Sequence, residues 1–321
     1  MRDVRNFQGN DAGTMAKHEN TTALYAALIG NLAIAITKFI AAFITGGSAM
    51  MSEGVHSLVD CGNEVLLLYG QKRAAKAPDA EHPVGYGREL YFWCFVVAMM
   101  IFALGAGISI YEGVIHILAP EPITQPMVNF IVFGLAFVFE GISLWFAWKA
   151  FRKVKGRRSI WQAVQRSKDP TSFTVLLEDS AAMIGVAIAA VGTGIAVVTE
   201  NPVWDGASSI AIGVLLAGVA VVLARESKHL LVGEAANPEV VEALRSTVGK
   251  HPEVRRIVDL LTVQLGADQV FAAFTLEFPD EMTVPDLERL IGTIGAAVRK
   301  THPEVRRIFV RPEPRTQETA S

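Results

Sequence analysis

Six runs of apolar residues, at about 22–45, 48–70, 90–117, 126–149, 172–199 and 204–224, restrict this chain to very few architectures. A helix needs about 20 apolar residues to cross the ~30 Å hydrocarbon core of a bilayer. Inside that core only helices and closed barrels satisfy their own backbone hydrogen bonds. The runs are continuous rather than alternating, so each is read as a membrane helix. With 51% hydrophobic residues over 321 positions and a mean hydropathy of +0.35, the chain is too apolar for an ordinary soluble protein. Tyr91, Phe92 and Trp93 open the third run, and Trp145 and Trp148 close the fourth. Both sets are expected at the membrane–water interface, where amphipathic rings anchor helices.

The connections between runs differ sharply in charge. Those at 45–48, 118–125 and 200–203 contain no Lys or Arg. The connection 71–89 carries Lys72, Arg73, Lys76 and Arg88, and 150–171 carries Arg152, Lys153, Lys155, Arg157, Arg158, Arg166 and Lys168. Basic loops stay in the cytosol, so both termini are expected there. Residues 1–20 are polar, lack a secretory h-region and are read as a cytosolic tail. Cys61 and Cys94 both lie in apolar runs, which argues against a disulfide framework or a cysteine-rich metal cluster. The net charge of -3 is too small to indicate a partner, and no nucleic-acid role is expected.

Beyond about residue 228 the pattern changes. A helical stretch from Asn237-Pro238 is followed by alternating runs at 254–265 and 269–278, a helix from Val284-Pro285 to about Lys300, and a strand over Val305 to Arg311. This order, αββαβ, fits a small ferredoxin-like domain. The heptapeptide HPEVRRI occurs at 251–257 and again at 302–308, each time where a helix gives way to a strand. The fold class expected is an α-helical membrane protein of six transmembrane helices followed by a small cytosolic α+β ferredoxin-like domain. The expected division is 1–20 tail, 21–227 transport domain, 228–314 cytosolic domain and 315–321 disordered tail.

The chemistry concentrates in the second run. Glu53, His56, Asp60 and Asn63 follow at steps of three, four and three, which is one helical stripe. Ionisable groups at membrane depth are costly and face a cavity, a partner or a cargo. One imidazole with carboxylates suits a borderline cation such as zinc better than magnesium or calcium. Glu178 and Asp179, adjacent in the fifth run, point about 100° apart, so only one aims squarely at the second helix. Asp179 and Asp60 lie at similar depths, which permits a shared site. The bland alternative is a hydrogen-bond network that only joins helices. Lys38 is expected to snorkel or to pair with a carboxylate. Glu112 and Glu140 are read as packed glutamates before proton carriers, and Asp205 as a charge at a helix start.

GGSAMMSEGVHSLVD, DAEHPVGYGREL, LLEDSAAMIG and WDGASSIAIG together resemble the cation diffusion facilitators along nearly the whole chain. The branch closest in pattern has Glu-Asp in helix five, as in mitochondrial-type zinc transporters. The resemblance implies a homodimer that exports divalent metal from the cytosol in exchange for protons, with zinc as cargo and no cofactor. It implies His56, Asp60 and Asp179 as ligands, while the family's fourth position falls on Val175, which binds no metal. Glu178, Asn63, Glu53 or water is left to complete the shell. A second family site, in the loop after helix two, is matched by Asp79 and His82, but Tyr86 stands where a histidine would complete it. The family's binuclear cytosolic site is not matched, since Val258, Thr275 and Arg311 occupy its positions and only Glu313 remains. His251 and His302 are placed in turns.

A bacterial inner membrane is the location expected. Competing classes are a passive metal channel, an exporter of Mn, Fe, Co or Ni, a non-transporting metal receptor, and an intramembrane metallohydrolase, which would need a general base and for which no HExxH motif is present.

Overall fold

The computed structural model describes residues 24–25, 27–40, 43, 48–120, 125–156 and 158–313, with the side chains of 48–56 and 153–154 outside the description. The tails placed at 1–20 and 315–321 and the ends of the first run also lie outside it. The helices are α1 (Ala27–Ile40), α2 (Ser48–Ala74), α3 (Glu89–Leu118), α4 (Pro126–Lys155), a short α5 (Ile160–Arg166), α6 (Pro170–Thr199) and α7 (Val203–Val232). Among the described residues, α3, α4, α6 and α7 are long and apolar enough to cross a membrane. The described part of α1 is shorter, and α2 carries Asp60 and Glu64 in its middle, which lower its hydropathy.

Helix ends follow local chemistry. Pro170 opens α6, and the Asp169 side chain accepts from the Thr171 amide at 3.0 Å. Ser159 and Gln162 form a reciprocal capping box on α5. The connection expected over 150–171 is therefore largely helical. α7 continues past residue 228, through Arg225 and Lys228, and ends at Val232 before Gly233.

Helix α3 packs on α7, α7 on α6, α6 on α4, and α2 on α3. Large apolar side chains face outward, among them Phe130, Ile131, Phe137 and Val138 of α4. The end of the bundle nearer the C-terminal domain is filled by Leu67, Tyr91, Phe151, Phe173 and Leu230. Tyr91 corrects the interfacial expectation. It is fully buried, and its hydroxyl donates to the Lys168 carbonyl at 3.1 Å. A buried tyrosine requires a partner for its hydroxyl, and this one sits in the connection before α6. Trp145 is 57% exposed on the outer surface, as an anchor requires.

The C-terminal domain comprises α8 (Pro238–Val248), β1 (Arg256–Gly266), β2 (Gln269–Glu277), α9 (Val284–Thr301) and β3 (Val305–Glu313). β2 is the central strand, antiparallel to β1 and parallel to β3. Leu244, Val248, Ile294 and Val298 cover one sheet face through Ala272, Phe274 and Leu276. The repeated heptapeptide makes the same turn twice, with the Val254 amide donating to the His251 carbonyl and the Val305 amide to the His302 carbonyl, both at 3.0 Å. The two domains touch where the α2–α3 loop meets the β1–β2 turn. A Cβ on Gly87 would stand 2.4 Å from the Leu265 carbonyl oxygen, so only glycine allows this approach.

Candidate metal site

Helix α2 presents its polar residues to two neighbours. Asn63, 1% exposed, donates through Nδ2 to Glu178 Oε1 of α6 at 2.9 Å. Glu64, also 1% exposed, accepts from Asn31 Nδ2 of α1 at 2.9 Å. Asp60 lies one turn before Glu64, is half-buried, and lines the central cavity. Glu53 and His56 belong to α2, but their side chains lie outside the described residues.

Helix α6 contributes Glu178 and Asp179, both buried and both on the cavity wall. Asp179 Oδ2 accepts from Ser143 Oγ of α4 at 2.8 Å. Val175 is 3% exposed and belongs to the packed apolar cluster rather than to the cavity. Asn63 Oδ1, Glu64 Oε2 and Glu178 Oε2 are buried and find no hydrogen-bond partner. Buried oxygens without donors are costly, and they suit a site that takes up protons or cations. Among the described residues, no three His, Cys, Asp or Glu side chains come close enough to hold an ion together.

The cavity encloses about 480 Å³ and is walled by Asp60, Glu112, Glu140, Glu178, Asp179 and Asp205 against Lys38. The wall is thus rich in carboxyl groups, with one lysine among them. Lys38 does not point into lipid. It lines the cavity and donates to Ser57 Oγ at 2.9 Å. The cavity extends from Asp60 and Asp179 to His116, Asn129 and Asp205 near the end of the bundle remote from the C-terminal domain. The wide π-turn of α3, Ile101–Ala106, supplies Ile101 and Gly105 to its wall.

The loop pair Asp79 and His82 stands apart from this cavity and is internally tied. Asp79 Oδ2 accepts from the Tyr86 hydroxyl at 2.6 Å and from Lys76 Nζ at 3.2 Å, while Oδ1 accepts from the His82 amide at 2.8 Å. The Tyr86 hydroxyl and the His82 amide hold the Asp79 carboxyl well below the usual carboxylate range. The His82 ring lies against Tyr86, with centroids 4.2 Å apart. A lysine ammonium therefore supplies the positive charge beside Asp79. In the sheet, Arg311 pairs with Glu313 at 2.6 Å, and in the turn before β3 His302 Nδ1 lies 3.1 Å from Glu304 Oε1.

Residues 24–232 match the family model of the cation efflux transmembrane domain, and 236–315 match that of the cation efflux protein cytoplasmic domain. The chain belongs to the cation efflux family. It is 31% identical to a mitochondrial proton-coupled zinc antiporter of Homo sapiens, over 96% of this chain and 62% of that protein. It is also 31% identical to a metal tolerance protein of Arabidopsis thaliana, over 91% of this chain and 63% of that protein. The chain thus spans about six-tenths of the length of these relatives. A cation-efflux pump of Cronobacter sakazakii is 24% identical over 88% of both chains.

Sequence reasoning missed Glu64, Asn31, Ser143 and His116. Glu64 had a visible signal, since it follows Asp60 by four and extends the same stripe. Ser143 follows Glu140 by three on α4. A lone serine in an apolar helix carries no sign of which carboxylate it will meet.

Proposed function

We propose that this family member carries a divalent metal, most naturally zinc, out of the cytosol in exchange for protons. The observation that carries the reading is the meeting of α2 and α6 at one carboxylate-lined cavity, with Asp60 and Asp179 on its wall. His56 precedes Asp60 by one helical turn, so an imidazole is available to the same region. His56, Asp60 and Asp179 are assigned as ligands, with Glu178 or Asn63 nearest at hand to complete the shell and Glu53 a turn further off. Nitrogen with oxygen donors favours zinc over all-oxygen ions.

Ligands must shed protons to bind metal, so loading displaces protons and reprotonation releases metal. The packed apolar end beside the C-terminal domain and the cavity running to the other end correspond to one half of an alternating-access cycle. Rocking of α2 and α6 against the rest would open the packed end in turn. The small α+β domain is placed in the cytosol, with both termini. The sheet face opposite α8 and α9 exposes Leu261 and Phe309, at 51% and 57%, an apolar surface suited to a second copy of the chain. A bacterial inner membrane is retained as the location, and fractionation of the source cells tests it.

The decisive experiment is zinc flux in proteoliposomes under imposed pH gradients. Flux into an acidic lumen, lost in Asp60→Asn and Asp179→Asn, is expected. Downhill zinc flux indifferent to pH on both sides would establish a passive channel instead.

A further inference from the structure

The cavity contains a second constellation, far along its length from Asp60. His116 stands in the last turn of α3 and Asp205 in the first turn of α7. Both line the cavity. His116 Nδ1 is buried, has no hydrogen-bond partner, and lies 4.0 Å from Asp205 Oδ2. That is too long for a hydrogen bond. Ligands ~2.0–2.1 Å from zinc at a tetrahedral angle stand about 3.3 Å apart, so the two groups would have to close by about 0.7 Å to share an ion, a shift within reach of side-chain rotation. The other Asp205 oxygen, Oδ1, accepts from Thr193 Oγ1 of α6 at 3.0 Å, which fixes the carboxylate.

The backbone holds this pair in place. A Cβ on Gly113 would come 2.6 Å from the Gly206 carbonyl oxygen, and one on Gly206 would come 2.7 Å from that of Gly113. Two glycines thus lock α3 to α7 one turn from His116 and beside Asp205. The helix contact thus keeps the imidazole nitrogen and the carboxylate facing each other across the cavity wall.

We propose that His116 and Asp205 form a second, low-affinity zinc station near the mouth of the cavity, where an outgoing ion pauses before release. The proposal rests on the exporter reading for its role, though not for its chemistry. Two protein ligands, with water completing the shell, bind zinc more weakly than three or four. Weak binding is what an exit requires, because an ion must leave as readily as it arrives. Glu112 lies one turn before His116 and lines the same wall, adding negative potential along the path.

The test is equilibrium binding of radioactive zinc to the full chain in lipid nanodiscs, with zinc as the only metal present. Wild type should show a tight and a weak class of site. Asp60→Asn should lose the tight class and keep the weak one. His116→Ala should keep the tight class and weaken the other at least ~10-fold. Asp205→Asn retains an oxygen for Thr193 and should reproduce that loss, so it decides the matter if His116→Ala fails to fold. Unchanged weak binding in folded His116→Ala or Asp205→Asn would overturn the proposal, as would loss of both classes together. A weak class that depends on His116 in a protein with no tight class would sink the exporter reading and leave this station standing.

Discussion

Asp179 receives a hydrogen bond from Ser143 across the seam between α4 and α6, and this bond orients its carboxylate on the cavity wall. Groups that orient a metal ligand typically contribute 10–100-fold to affinity. Ser143→Ala is therefore expected to weaken the tight class of zinc binding about 10-fold by calorimetry, where Asp179→Asn should abolish that class and leave the weak one. The pair Asn31 and Glu64 makes a different point. Glu64 Oε2 already lacks a partner, and Asn31 supplies the hydrogen bond to Oε1. Asn31→Ala would leave a buried carboxyl with no donor, a loss of about 1–3 kcal/mol. Thermal unfolding in detergent should show it, while Asn31→Gln should recover part of the loss.

Among the elements, the α2–α3 loop behaves as a rigid strut. Lys76, Asp79 and Tyr86 tie it to itself, Arg307 of β3 donates to the Pro83 carbonyl, and Gly87 rests on the β1–β2 turn. The Asp79 carboxyl is held below its ordinary value, so its contribution is present above the unfolded pKa of ~3.9 and is lost only as pH falls through the lower folded value. Protection of the amides across 79–87, taken relative to the intrinsic exchange rate at each pH, should be the same at pH 7 and pH 5 and fall only in stronger acid. Gly87→Ala should instead speed exchange in both the loop and the β1–β2 turn at neutral pH, because its Cβ has no room against the Leu265 carbonyl. Unequal protection between pH 7 and pH 5 would show that the ties are not those seen here.

For the whole molecule, the open face of the sheet and the cavity of the bundle are separate surfaces and are separable by mutation. Leu261, Ala273 and Phe309 lie in register across β1, β2 and β3, and the Phe271 and Phe309 rings stand 5.5 Å apart. A charge placed there opposes association without touching the membrane helices. Phe309→Asp should shift the detergent-solubilised chain toward monomer in light scattering, with tight zinc binding retained. An unchanged mass would place the dimer contact elsewhere.

The length and hydropathy of the helical runs, the alternation of basic and uncharged connections and the αββαβ order were all legible in the sequence, because each depends on residues close together in the chain. Strands expected at 254–265 and 269–278 stand at Arg256–Gly266 and Gln269–Glu277. The rotation of each helix about its axis was not legible. It decided that Val175 joins the apolar core, that Tyr91 is buried against a carbonyl rather than set at the interface, and that Lys38 faces the cavity. It also decided which polar groups meet, as in Asn63 with Glu178, 115 residues apart, and His116 with Asp205. Those pairings arise from helix packing, in which close glycine contacts and interlocking side chains fix the faces that touch, and a single run of residues carries no record of the face it will meet.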